Sequence, residues 1–142
     1  MGDKWTPWIP LKIPRANHAC TEVKDKNGNV KKIFVAGGVG DMNANTALDT
    51  TEIYNPRDTS WKIGPSLPYP TTGAALVNIR RTSLARIVLI GGCQYDKSGE
   101  RKTPCTTVYA LDETFKTWMI TGNLRKSRID PVALAITKGR TL

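Results

Sequence analysis

Apolar residues in this chain come in runs of four to six, each bounded by glycine, proline, asparagine or aspartate, and no stretch of useful length keeps a helical period. Runs that short, rich in Val, Ile, Thr and Tyr, predict buried β-strands, because β-branched and aromatic side chains fit a pleated surface. IFVA (residues 33–36) and IVLI (87–90) are two such runs, stopped by Gly37-Gly38 and Gly91-Gly92. Turn-forming segments lie between the runs: KDKNGN (24–29), RRTS (80–83), NPRDTS (55–60) and DETFKT (112–117). The pattern predicts an all-β chain.

The runs also repeat. IFVAGG and IVLIGG begin 54 residues apart, Tyr54 and Tyr109 are 55 apart, and Trp61 and Trp118 are 57 apart. Each tryptophan has a leucine six residues on, at Leu67 and Leu124, and the pair Trp5 and Leu11 keeps the same interval 56 residues earlier. A small apolar segment follows each leucine, in ANHACTEV (16–23), TGAALVNI (72–79) and DPVALAI (130–136). A fixed period of this size is the mark of a repeat architecture, in which each unit buries its faces only against its neighbours. Each unit reads as four strands: apolar segment, aliphatic run ending in Gly-Gly, tyrosine strand, tryptophan strand.

These residues resemble the kelch family, from Trp5 to Ile136, and the resemblance implies four-stranded antiparallel blades of a β-propeller. Its signature residues are Gly37, Gly38, Tyr54, Trp61, Gly91, Gly92, Tyr109 and Trp118, and their expected role is structural. The glycines would end the second strand where blades approach too closely for a side chain. The Tyr and Trp side chains would fill the layer between blades, with hydroxyl and N–H needing partners. The chain divides into the last strand of a preceding blade (5–9), a first full blade (16–63), a second (72–120) and the first strand of a further one (132–136). Two full blades with parts of a third make an incomplete ring, since a closed propeller needs about four to eight.

Within the family the ligand face is built from the connections between blades and the loops between second and third strands. Here those are KIPRAN (12–17), LPYPTTG (67–73) and LRKSRID (124–130), with the long loops 39–49 and 93–105. The resemblance therefore places Arg15, Asn17, Tyr69, Arg101, Lys102, Arg125 and Arg128 as ligand-face candidates, with Thr71 departing from arginine. It implies a protein-binding scaffold and no enzyme. The readings left open are the substrate-recognition part of a cullin-type ubiquitin ligase adaptor, an actin-binding cytoskeletal protein, and a secreted adhesion protein.

Charge refines that picture. Of 142 residues, 21 are Lys or Arg and 12 are Asp or Glu, for a net charge of +9. Residues 80–142 hold twelve of the basic and five of the acidic residues. The bias suits an acidic peptide segment of another protein, for which the guanidinium fork is the better donor, more than nucleic acid; it also keeps a β-rich surface soluble. Self-association through open blade faces is a further expectation. No apolar run reaches the ~18 residues that span a bilayer.

Catalytic and cofactor chemistry find no support. His18 is the single histidine, and Cys20, Cys93 and Cys105 form no CxxC pair, so neither a zinc site nor a nucleophile–base pair is written here. GGVG (37–40) belongs to the repeat and lacks the Lys-Ser/Thr of a phosphate loop. No cofactor or metal is expected. Without a signal-peptide pattern a cytoplasmic setting is expected, and a secreted one if Cys93 and Cys105 are disulfide-bonded.

Overall fold

Hydrogen-bonded ladders form where the repeat places its runs. The computed structural model describes residues 2–25, 27–41, 46–80, 85–96, 98, 101–112 and 114–136, with the side chains of 80, 85 and 101–103 outside the description. The first repeat forms β1 (Ala19–Lys24), β2 (Val30–Ala36), β3 (Val39–Asp41), β4 (Thr46–Ala47), β5 (Thr51–Asn55) and β6 (Ser60–Ile63). The second forms β7 (Thr71–Thr72), β8 (Ala75–Arg80), β9 (Ala85–Ile90), β10 (Cys93–Tyr95), β11 (Arg101–Pro104), β12 (Thr107–Leu111) and β13 (Trp118–Asn123). Strand orders β1-β2-β5-β6 and β8-β9-β12-β13 make two antiparallel blades of four strands each.

Side-chain alternation along the strands loads both faces of each blade. Phe34 and Ile53 point toward the second blade and meet Leu76, Ile87, Leu89, Tyr109, Leu111 and Trp118 in one core between the blades. Val35, Tyr54 and Trp61 occupy the opposite face of the first blade, packed on Ile9 and Leu11. Val77, Val88 and Ala110 form the far face of the second blade. The Phe34 and Trp118 rings meet edge-on at 6.1 Å, and the Lys32 ammonium lies 4.6 Å from the Phe115 ring centre. The tryptophan N–H groups find matching partners: Trp61 donates to the Ile9 carbonyl and Trp118 to the Pro65 carbonyl, each at 3.1 Å.

The glycine pairs end β2 and β9 at crossing points of the backbone. A Cβ on Gly37 would overlap the Thr71 carbonyl, which belongs to the connection leaving the blade, and one on Gly38 would lie 2.5 Å from the Ala16 carbonyl of the connection entering it. Gly91 and Gly92 meet the Arg128 and Thr72 carbonyls in the same way. Positive φ at all four adds a second reason for glycine.

Tyr109 corrects the alignment of the repeats. Tyr54 lies opposite Trp61, but Trp118 lies opposite Leu111. Tyr109 pairs with Leu89 and Ile120, as Glu52 pairs with Val35 and Ile63. Tyr109 therefore stands in the place of Glu52, and Leu111 in the place of Tyr54. A two-residue shift keeps a side chain on the same face of a strand, so matching residue types could not detect it.

The long loops are hairpins. β3 pairs β4, and β10 pairs β11 and also the connecting strand β7, through Cys93 opposite Thr72 and Gln94 opposite Thr71. Ala16 bridges Val39 at the equivalent place in the first blade. At the two ends, residues 5–9 and 132–136 join no ladder among the described residues. A strand forms only against a neighbour, and each of these segments has a packing surface on one side alone: Ile9 and Leu11 rest on the first blade and Ala133 on the second.

Candidate functional site

The connections between blades gather at one end of the molecule through a recurring left-handed residue. Asn17 and Asp130 both have φ 52°, and Gly73, between them in the repeat, has φ 57°. Gly73 donates its N–H to the Asn17 carbonyl at 3.2 Å, and Asp130 donates to the Gly73 carbonyl at 2.8 Å. Asn, Asp and Gly are the residues that tolerate this conformation, which explains their occurrence at 56- and 57-residue spacing. Asn17 is exposed, and its backbone has this structural role beside any contact its side chain makes.

Arg15 is not on the rim. Its side chain and that of Glu52 are both 0% exposed and their Nη2 and Oε1 atoms lie 2.9 Å apart. The guanidinium also donates to the Gly37 carbonyl at 2.7 Å, the Thr50 carbonyl at 3.0 Å and the Thr50 hydroxyl at 3.2 Å. Glu52 accepts the N–H groups of Lys12 at 2.7 Å and Ile13 at 3.1 Å. An arginine this deeply placed needs a carboxylate and carbonyls around it, and the first blade supplies them. Sequence reasoning missed Glu52; the available signal was an acid set inside the strand TEIY, two residues from Tyr54 on the same face.

At the second junction both partners change together. Thr71 stands in the place of Arg15 and donates its hydroxyl to the Tyr69 carbonyl at 2.8 Å. Tyr109 stands in the place of Glu52, its hydroxyl 3.4 Å from the Gln94 amide nitrogen. A charged lock is thus replaced by neutral groups.

The third connection carries the exposed charge. Arg125, Lys126 and Arg128 are exposed and line, with Leu124, a shallow notch of about 350 Å³. Arg128 donates to the Ser127 carbonyl at 3.1 Å. Tyr69, on the second connection, is 39% exposed. Arg101 and Lys102 open β11, and their side chains lie outside the described residues.

Along the inner edge of the blades, β1, β8 and residues 133–135 line a groove of about 440 Å³ with Cys20, Glu22, Lys24 and Asn78 among its walls. His18, beside Gly38, has its pKa lowered by burial first and by the Arg15 charge second. Cys93, at the start of β10, and Cys105, just after β11, are both buried and are not joined in a disulfide. Among the described residues, no three His, Cys, Asp or Glu side chains come together as a metal-binding group, and no helix is long and apolar enough to cross a membrane.

Comparison with known proteins agrees with this geometry. The family model of the kelch motif matches residues 31–68, the span that holds Gly37-Gly38, Glu52, Tyr54 and Trp61. Residues 31–68 form a kelch repeat, and the all-β blades are consistent with that family. Kelch repeat and BTB domain-containing protein 12 of Danio rerio is 29% identical over 127 residues, covering 83% of this chain and 19% of the relative. The chain thus spans about a fifth of the length of that curated relative. The two blades differ at these positions: Arg15 and Glu52 form an ion pair in the first, and neutral Thr71 and Tyr109 occupy the equivalent places in the second, each bonded elsewhere.

Proposed function

We propose that this kelch chain is a protein-binding scaffold whose end face, at the connections between blades, holds an acidic segment of another protein. The observation that carries the reading is the contrast between Arg15, consumed inside a junction, and Arg125 with Lys126, exposed beside the notch at Leu124. Tyr69 and the side chain of Asn17 add an aromatic and an amide surface on neighbouring connections, and Arg101 and Lys102 add charge to the β11 strand. Planar guanidinium groups on a rigid rim suit a carboxylate-bearing peptide. A fluorescein-labelled peptide of alternating Glu and Gly tests this by anisotropy against its Lys–Gly counterpart. Arg125→Glu with Lys126→Glu should weaken the acidic peptide at least tenfold while the thermal midpoint stays put. Equal binding of the two peptides, or no loss in the double variant, would sink the reading.

A finer reading is favoured by the relative, whose name joins kelch repeats to a BTB domain. We infer from that likeness the substrate-recognition part of a cullin-type ubiquitin ligase adaptor, in a cytoplasmic setting. Proximity labelling from the endogenous protein should then recover cullin subunits. Recovery of actin instead, with co-sedimentation of the purified chain on filaments, would select the cytoskeletal alternative.

A further inference from the structure

β13 is the outermost strand of the second blade, and its edge differs from that of its counterpart β6. In the first blade β6 is four residues long, carries Lys62, ion-paired to Asp58 at 3.1 Å, and is followed by Gly64-Pro65. A charged side chain on the strand and a proline close behind it are devices that keep an edge from accepting another chain. β13 runs for six residues, Trp-Met-Ile-Thr-Gly-Asn, and neither a charge nor a proline occurs from Thr117 to Leu124. It pairs with β12 on one side and with no strand on the other among the described residues.

The ladder to β12 fixes which backbone groups of β13 face outward. Asp112 donates its N–H to the Thr117 carbonyl at 2.9 Å, and Leu124 donates to the Thr106 carbonyl at 2.7 Å. Bonded and non-bonded pairs alternate along an antiparallel ladder, so the backbone groups of Met119, opposite Ala110, and Gly122, opposite Val108, face β12. Trp118, Ile120 and Asn123 then turn their N–H and C=O groups outward, with Thr121 the extra residue of a bulge. Apolar side chains flank this edge on both faces: Ile120, on the face of Tyr109, is 68% exposed and Met119, on the face of Ala110, is 47% exposed. Gly122 has no positive φ and nothing within 4 Å of where its Cβ would stand, so neither conformation nor a contact among the described residues calls for glycine. A glycine inside a strand suits the close approach of another backbone.

Charge decides between occupants. Exposed Lys116 precedes β13, and exposed Arg125 and Lys126 follow it. A second copy laid antiparallel on the same edge would bring its Lys116 against Arg125 and Lys126 at both ends, and the net charge of +9 on each chain opposes the approach. An extended segment with a β-branched centre and acidic ends instead meets a cation at each end and apolar side chains between. We propose that the edge of β13 takes such a segment of another protein as an added strand, through main-chain bonds to Trp118, Ile120 and Asn123. The proposal rests on the acidic-partner reading for the notch beside Arg125, where one acidic end lies.

The test compares two fluorescein-labelled peptides by anisotropy on the 142-residue chain. One is Glu-Glu-Val-Thr-Val-Thr-Val-Glu-Glu; the other is the alternating Glu–Gly peptide, which offers charge without a strand-forming centre. The first should bind roughly tenfold tighter. On its addition the Ile120 and Asn123 amides should exchange with deuterium roughly tenfold more slowly, while those of Met119 and Gly122, already bonded to β12, change little. Ile120→Pro removes an outward N–H and leaves the ladder to β12 whole, so it should erase the advantage of the first peptide and leave Glu–Gly binding and the thermal midpoint in place. Exchange in the unaltered chain decides the matter even where the proline variant fails to fold. Equal affinity for the two peptides, unslowed exchange at Ile120 and Asn123, or a folded Ile120→Pro chain that keeps the advantage would overturn the proposal. So would a dimer in sedimentation equilibrium that Ile120→Pro abolishes, which would assign the edge to a second copy. Failure of the notch reading has a different mark, equal binding of the Glu–Gly and Lys–Gly peptides, and leaves the exchange result untouched.

Discussion

Arg15 and Glu52 show how one residue's surroundings reverse its meaning. A proline-flanked arginine on a connection reads as a rim contact, yet its guanidinium is spent on one carboxylate and on Gly37 and Thr50. Removing one partner of a buried pair leaves the other uncompensated, a cost of about 3–5 kcal/mol. Glu52→Ala should therefore lower urea stability by about that amount, as should Arg15→Thr. Arg15→Thr combined with Glu52→Tyr reproduces the residues at the equivalent places of the second blade and should recover more than half of the loss. An additive double variant in a mutant cycle would refute the pairing of Arg15 with Glu52.

His18 is the residue through which pH reaches the same place. Burial, then the Arg15 charge, holds its pKa below the ordinary 6.5. The unfolded chain therefore takes up a proton before the folded chain does. This contribution to stability is complete above pH 6.5 and is lost as pH falls from there toward the lowered folded value. His18→Gln should flatten that part of the urea midpoint–pH curve. Further down, Asp25 has its pKa lowered to about 2, chiefly by Lys31, and Asp112 is lowered by the Lys116 and Thr117 N–H groups. Those carboxylates act in the same sense in a separate window, below their ordinary 3.8. The two windows should be resolved in a titration of stability from pH 8 to pH 2.

Between elements, the junction is held by an aromatic and a glycine that do different work. Trp118 from β13 reaches the core shared by the blades and donates to the Pro65 carbonyl of the connection. Trp118→Phe keeps an aromatic ring there and loses the N–H, leaving a carbonyl without its partner, which predicts a loss of about 1–3 kcal/mol by urea unfolding. Gly37→Ala meets two obstacles at once, the Thr71 carbonyl and a positive φ, and should cost more than Trp118→Phe. At Gly28, with positive φ and open space around it, Gly28→Ala should cost about 1 kcal/mol. Equal losses at Gly37 and Gly28 would show that backbone conformation alone, and not close approach, sets the requirement.

For the molecule as a whole, the two blades bury one shared core and leave an outer face on each side. The cysteines report on this directly. Cys20 is exposed while Cys93 and Cys105 are buried. One thiol should react with Ellman's reagent in the folded chain, and the remaining two only in denaturant. Fast reaction of all three would mean that the β10–β11 hairpin opens independently of the blades.

Periodicity alone determined the main strands, the four-strand unit and the glycine stops, because runs of alternating or apolar residues and paired glycines are local statements about backbone and burial; the carbonyls that accept from the two tryptophans came from the structure. The exposed basic connection at 124–130 was also legible, as charge in a turn segment. The rest required three dimensions. That Arg15 faces inward depends on Glu52, 37 residues away, and no local pattern records where an acid inside a strand finds its cation. That Tyr109 stands for Glu52 and not for Tyr54 depends on ladder register, to which residue matching is blind by steps of two. That the long loops are hairpins laced to the connections depends on pairings such as Cys93 with Thr72. Nor could residues 5–9 and 132–136 be judged from their pattern, because a strand-like sequence becomes a strand only when a neighbouring edge supplies the hydrogen bonds.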